Sequence, residues 1–237
     1  MIFPRKPEGI IFDMDGLLVD TIPLYITAMI EAGIVVGYPV SREYVLSLVG
    51  LLGKQLHRRL RDDLGANFPV DRFLERVQDS VGQALIQGAP LKKGALELIR
   101  YLAAAQIPLA VATSMKRAEA EYQLEKANIR HQFARVVGRD EVALSKPHPD
   151  VYLKAAAHLK LQPCACIALE DSFNGVRSAQ AAGCMTIMVP DVLTPTAEVA
   201  SLCVGIVCDL QEVMLTLQEH HGHLTSSTSR TEGYSLK

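Results

Sequence analysis

Between residues 91 and 190, short apolar runs alternate with stretches of helical periodicity, and this alternation narrows the fold more than any other feature of the chain. It predicts strands over 108–113, 134–138, 165–169 and 185–190, and helices over 94–105, 116–128, 149–159 and 175–182. Repeated strand and helix units of this length imply a parallel sheet covered on both faces, an α/β fold.

One further apolar run, Ile10-Ile11-Phe12, lies far upstream and is expected to pair into the same sheet. It ends in Asp13-Met14-Asp15-Gly16, two carboxylates one residue apart and a glycine that lets the backbone turn sharply. Two acidic side chains at the end of a buried strand repel each other and lose hydration, and a bound cation is the common remedy. In open parallel sheets the ligand crevice lies outside the carboxyl ends of the strands, which is where this pair falls.

The segment from about 22 to 90 carries helical signals and no convincing strand. Pro23 suits the first turn of a helix running to about Gly33, and Ser41 suits the cap of a helix bearing Tyr44, Val45, Leu48 and Val49. Further helical spacing covers 54–64 and 70–86. The expected organisation is therefore an α/β core from residues 1–21 and 91–221, an all-helical insertion at 22–90, and a disordered tail, rich in Ser, Thr and Gly, over 222–237.

A formal net charge of −2 gives no reason to expect nucleic acid or an anionic membrane as the main partner, and no apolar run approaches the length of a membrane span. The expectation is a cytoplasmic protein that acts on a small molecule, as a monomer or a small homo-oligomer. Five cysteines, mostly in apolar segments, suit reduced core thiols better than a disulfide framework.

Other strand ends add polar residues in the same position. The second strand ends in Thr113-Ser114, Lys146-Pro147 precedes the next helix, and Ile167-Ala168-Leu169 ends in Glu170-Asp171-Ser172. Carboxylates without a histidine or cysteine cluster favour a hard cation with oxygen ligands, magnesium before zinc. The Thr113 hydroxyl, the Ser114 N–H and the Lys146 ammonium are what a phosphoryl group needs around its oxygens. Within such a site Asp13 can attack phosphorus, while Asp15 protonates the leaving alkoxide and later takes a proton from water.

Each piece also has a plainer use. Asp13 and Asp15 suit a turn, Thr113 a strand end, Lys146 a solvated loop, and Glu170 and Asp171 a helix cap. Lys92-Lys93 reads as a solvated helix entry, and His57, His131, His148 and His158 are scattered. The ordered co-occurrence favours the chemical reading. In that order, Asp13-Met14-Asp15-Gly16, Thr113, Lys146 and Glu170-Asp171 resemble the four motifs of the haloacid dehalogenase superfamily. Leu169-Glu170-Asp171-Ser172 with Gly175, and Ser145-Lys146-Pro147 with Pro149-Asp150, are similar to its subgroup of β-phosphoglucomutase and sugar-phosphate phosphatases.

The resemblance covers roughly residues 8 to 215 and implies a Rossmann-like, doubly wound core with a helical cap inserted after the first motif. It further implies Asp13 as nucleophile and metal ligand, Asp15 as acid/base and as a metal ligand through its main-chain carbonyl, and Thr113 and Lys146 on the phosphoryl group. Asp171 would complete the magnesium shell with Glu170 at or beside it. Tyr25 stands where the mutases tend to have a histidine, and Gly50-Leu51-Leu52-Gly53 lacks their phosphate-gripping arginine, although Lys54, His57 or Arg58 can supply a grip. The expected function is thus a magnesium-dependent phosphatase for a small phosphorylated metabolite, with a sugar phosphate as one candidate. A hexose-phosphate mutase stands second, ahead of a receiver-like phospho-acceptor and a hydrolytic dehalogenase.

Overall fold

The computed structural model describes residues 3–51 and 53–222. Six parallel strands form one sheet: β1 (Gly9–Phe12), β2 (Leu109–Ala112), β3 (Arg135–Val137), β4 (Cys166–Glu170), β5 (Met185–Met188) and β6 (Gly205–Ile206). Their order is β3-β2-β1-β4-β5-β6. The chain leaves β1 toward β2 and β3, then returns to the opposite side with β4, so the order reverses at β1, as in doubly wound folds.

Side chains alternate across the sheet, and the core divides accordingly. Ile10 and Phe12 pack on one face, with residues of α5 (Ala95–Ala104), α6 (Arg117–Lys126) and α10 (Leu210–Gly222). Ile11, Ala110 and Ala112 point to the other, against α7 (Asp150–His158) and α8 (Phe173–Ala181). The short α9 (Ala197–Ser201) packs near α8.

Between β1 and α5 lie four helices: α1 (Ile22–Val35), α2 (Arg42–Ser47), α3 (Gly53–Leu64) and α4 (Val70–Leu85). Ala28, Ala32, Leu60, Phe73 and Val77 form a separate apolar cluster among them. Ser41 caps α2 as its sequence suggests, its hydroxyl accepting from the Tyr44 N–H at 3.2 Å. The chain passes into and out of these helices by two segments that pair with each other. Asp20 N–H donates to Pro90 O at 2.8 Å, Lys92 N–H to Leu18 O at 2.9 Å, and Val19 forms an antiparallel bridge with Leu91.

Several expectations need correction. The strand predicted over 165–169 includes Glu170 as its last residue, because that carboxylate finds internal donors. Helix α8, expected from residue 175, begins at Phe173 with Ser172 as its cap, which also removes the plainer cap reading of Glu170 and Asp171. Lys92 is no solvated helix entry: it is partly buried and bridges Asp191 at 2.8 Å and Asp20 at 3.4 Å. Cys166 and Cys184 are core thiols, whereas Cys208 is exposed. Gly222 closes α10 and so does not open the tail, and residues 223–237 lie outside the described residues. No helix among the described residues is long and apolar enough to cross a membrane.

Candidate active site

The site forms where the strand order reverses. Phe12 is paired with both Val111 and Leu169, which brings Asp13, Thr113 and Glu170 to one carboxyl edge. Backbone hydrogen bonds extend the ladders one step further, Asp13 N–H donating to Leu169 O at 2.9 Å and Thr113 N–H to Val137 O at 3.0 Å. The chain then folds tightly back: the Met14 carbonyl accepts from the N–H groups of Leu17, Leu18 and Val19. Gly16 lies at φ +84°, the left-handed region, and a Cβ there would sit 2.3 Å from Asp171 Oδ2.

Lys146 is the centre of the cluster. Its ammonium donates to Asp13 Oδ1 and, at 2.6 Å, to Glu170 Oε1, with only 5% of the side chain exposed. Its loop is fixed from outside by the Ser178 hydroxyl, which donates to His148 O at 2.5 Å. Glu170 is fully buried, and its second oxygen accepts from the Ser172 hydroxyl at 3.1 Å and from the Ser172 N–H at 3.4 Å. The Tyr152 hydroxyl donates to Glu170 Oε1 at 2.6 Å.

Asp13, Glu170 and Asp171 each place a carboxylate oxygen within 4.8 Å of the others. Burial pushes the Asp13 carboxyl up to about 8; Lys146 opposes this, and Glu170 and Asp15 reinforce it. Asp171 is raised well above the ordinary carboxylate range by burial and then by Asp13 and Glu170. Burial by itself would lower the Lys146 ammonium, but Asp13 and Glu170 reverse that and raise it. Lys146 offsets only part of the negative charge, so the donor set fits a divalent cation, and oxygen-only ligands suit a hard one. Since Glu170 already takes donors on both oxygens, Asp13 and Asp171 are the carboxylates free to face that cation.

The remaining residues surround this cluster. Asp15 is raised to about 6 by burial, against a hydrogen bond from the Thr21 side chain and the charge of Lys146. Thr113 is buried and its hydroxyl accepts from the Met115 N–H at 3.0 Å, which leaves its own proton to donate. Ser114 is exposed at the rim. From the inserted helices Tyr25, 42% exposed, approaches Asp15: its phenol is raised to about 12 by burial, then by Asp15 and Glu119.

Lys54, His57 and Arg58 line an open hollow of about 580 Å³ on α3, together with Gly53, Arg61 and Asp62. None of the clustered carboxylates lines it, so the candidate site is marked by its chemistry and not by that hollow. His57 lies 3.8 Å from Asp71, and the four scattered histidines join no metal-ligating group among the described residues. Two supporting residues escape a reading of the sequence. Tyr152 looks like an ordinary core position of α7, and Thr21 like part of a turn; proximity to a charged group is the only signal, and it exists only in three dimensions.

Buried carboxylates, a lysine and a strand-end hydroxyl gathered where the strand order reverses, beside a helical insertion, belong to a Rossmann-like core with a helical cap. Residues 10–189 match the family model of haloacid dehalogenase-like hydrolases, and the chain belongs to that family. It is 30% identical to the phosphorylated carbohydrates phosphatase of Thermotoga maritima, over 74% of this chain and 82% of that one. With hexitol phosphatase B of Escherichia coli K12 it shares 31% identity, over 80% of this chain and 86% of the relative. Among solved structures, CbbY from Rhodobacter sphaeroides in complex with phosphate superposes with a TM-score of 0.71 at 29% identity, covering 87% of this chain and 96% of the other. The chain is an enzyme of the phosphoric monoester hydrolase class.

Proposed function

We propose that this enzyme is a magnesium-dependent phosphatase that removes the phosphoryl group from a small phosphorylated carbohydrate or polyol through an aspartyl-phosphate on Asp13. The observation that carries the proposal is the buried Asp13 carboxylate, hydrogen-bonded to Lys146 and within ion-sharing distance of Asp171. The names of the two phosphatase relatives support the substrate class.

In the first step an Asp13 oxygen forms a bond to phosphorus as the bond to the substrate oxygen breaks, and Asp15 delivers its proton to the departing alkoxide. Lys146 and the Thr113 hydroxyl hold the phosphoryl oxygens, with the rim N–H of Ser114 as a further donor. In the second step Asp15, now a carboxylate, takes a proton from water as that water attacks phosphorus; the bond to Asp13 breaks and inorganic phosphate leaves. Asp13, Asp171 and the Asp15 carbonyl, with Glu170 beside them, would hold magnesium, which would supply positive charge where an anionic nucleophile meets an anionic substrate.

Residues 1–21 and 91–221 serve in this scheme as the catalytic core and 22–90 as the cap that shields the reaction from bulk water. The cap loop approaches the core at Gly50, where an added Cβ would lie 3.3 Å from Leu193 Cδ1. Free thiols throughout suit a reducing cytoplasm. The test is phosphate release from a panel of sugar and polyol phosphates with magnesium, scored in parallel for isomerisation of hexose 1-phosphates. Release that Asp13→Asn abolishes is expected; isomer formation in place of release would overturn the proposal in favour of a mutase, and the absence of both activities would refute it outright.

A further inference from the structure

We propose that Tyr152 is a positioning residue for phosphoryl transfer, fixing the direction of the Lys146 ammonium through Glu170. This rests on the assignment of Lys146 to the phosphoryl group. Tyr152 belongs to the buried face of α7 with Val151, Ala155 and Ala156, and is fully enclosed. Packing at such a position is satisfied by a ring alone, and a phenylalanine would fill nearly the same volume. The hydroxyl is therefore surplus to the core, and as a buried polar group it requires a partner.

That partner is the oxygen that also holds Lys146. Glu170 Oε1 accepts from Tyr152 Oη and from Lys146 Nζ, both at 2.6 Å. The face of the same ring lies beneath the ammonium, with Nζ 5.1 Å from its centroid. Tyr152 thus acts on Lys146 twice, through the shared carboxylate oxygen and through the attraction of a cation to an aromatic face. An ammonium has three N–H groups. Two are committed, to Asp13 and to Glu170, and fixing those two fixes the third, which is the one left for a phosphoryl oxygen.

The other Glu170 oxygen is held by Ser172, so the carboxylate is restrained on one side by Ser172 and on the other by Tyr152. Without the hydroxyl, Oε1 has Lys146 as its remaining donor, and the ammonium is drawn toward Glu170 and away from Asp13. Misdirection of a charged donor by a fraction of an ångström weakens its hold on the transition state more than on the bound substrate. The loss should therefore fall on kcat.

The experiment compares wild-type protein, Tyr152→Phe and Tyr152→Leu with para-nitrophenyl phosphate and magnesium, activity being normalised to folded protein. Tyr152→Phe should lower kcat by roughly tenfold, the scale of one hydrogen bond to a charged group. KM and the magnesium concentration for half-activation should stay within about threefold, because the Tyr152 hydroxyl donates to Glu170 and acts through it. Tyr152→Leu, which also removes the aromatic face, should lose more. In the magnesium and beryllium fluoride adduct, the ¹⁹F resonance of the fluorine nearest Lys146 should move in Tyr152→Phe while the other fluorines stay put. Wild-type kcat in Tyr152→Phe, a loss carried by KM or by magnesium demand, an unmoved ¹⁹F spectrum, or a variant that does not fold would each overturn the proposal. A wild-type protein without turnover would overturn it together with the phosphatase assignment, which separates the two failures.

Discussion

Gly175, in the first turn of α8, lies directly against the carboxylate of Glu170: a Cβ at residue 175 would sit 1.9 Å from Glu170 Cδ. The end of a glutamate side chain can usually swing aside, but this one is fully buried and held by Lys146, Tyr152 and Ser172. Gly175→Ala must therefore displace the group that aims Lys146. We expect a stability loss of about 3 kcal/mol, the scale of disrupting a buried charged network, and a kcat reduced at least about tenfold in the protein that still folds. Chemical denaturation and steady-state kinetics on one preparation check both.

The corresponding glycine on the metal side is Gly16. Because a Cβ there would collide with Asp171 Oδ2, at 2.3 Å, and because the backbone has φ +84°, Gly16→Ala should push Asp171 out of place. Its effect should fall on metal demand, raising the magnesium concentration for half-activation by about tenfold or more, the scale set by altering a ligand's support. A change in kcat at saturating magnesium with no change in magnesium demand would contradict this.

The raised carboxyls make the metal-free protein sensitive to pH in a definite direction. Asp13 at about 8, Asp15 at about 6 and Asp171 well above its usual range bind protons in the folded state that an unfolded carboxylate, near 3.8, has already released. Their contribution to stability is complete below pH 3.8 and is lost as pH rises through 6 and 8. A bound divalent ion removes the penalty by replacing those protons. Magnesium should therefore raise Tm more at pH 8 than at pH 5, measured against chelator-treated protein. Equal increments at the two pH values would sink this reading.

Asp15 is assigned to the leaving group, so its importance should depend on how much help that group needs. Asp15→Asn should slow hydrolysis of an alkyl phosphate about 100-fold or more, and formation of the aspartyl-phosphate from an aryl phosphate far less. Single-turnover kinetics with one substrate of each kind isolate that step. The same loss on both substrates would assign Asp15 to the fold or the metal.

Much of this could be read before the fold was known, for physical reasons that also explain what could not. The strands around β1 are unbroken apolar runs; Asp13, Thr113 and Asp171 directly follow the ends of β1, β2 and β4, and Lys146 stands in the loop before α7. Strand β6 has two residues, Gly205 partly buried and Ile206 40% exposed, and offers neither length nor pattern, and α9 and α10 beyond β5 are likewise not legible in the sequence. Glu170 reads as a loop residue because charge seldom ends a buried strand, and only Lys146, Tyr152 and Ser172 make that burial tolerable. Lys92 looks solvated for the same reason: Asp20 and Asp191, its partners, are 72 and 99 residues away in the chain.

The most direct test of the whole account is to find where the phosphoryl group goes. Protein quenched during turnover and reduced with borohydride converts an aspartyl-phosphate to homoserine, which peptide mass spectrometry can assign to one position. The account predicts homoserine at residue 13, dependent on magnesium and absent from Asp13→Asn. Turnover that leaves residue 13 unmodified, or modification at another carboxylate, would contradict it.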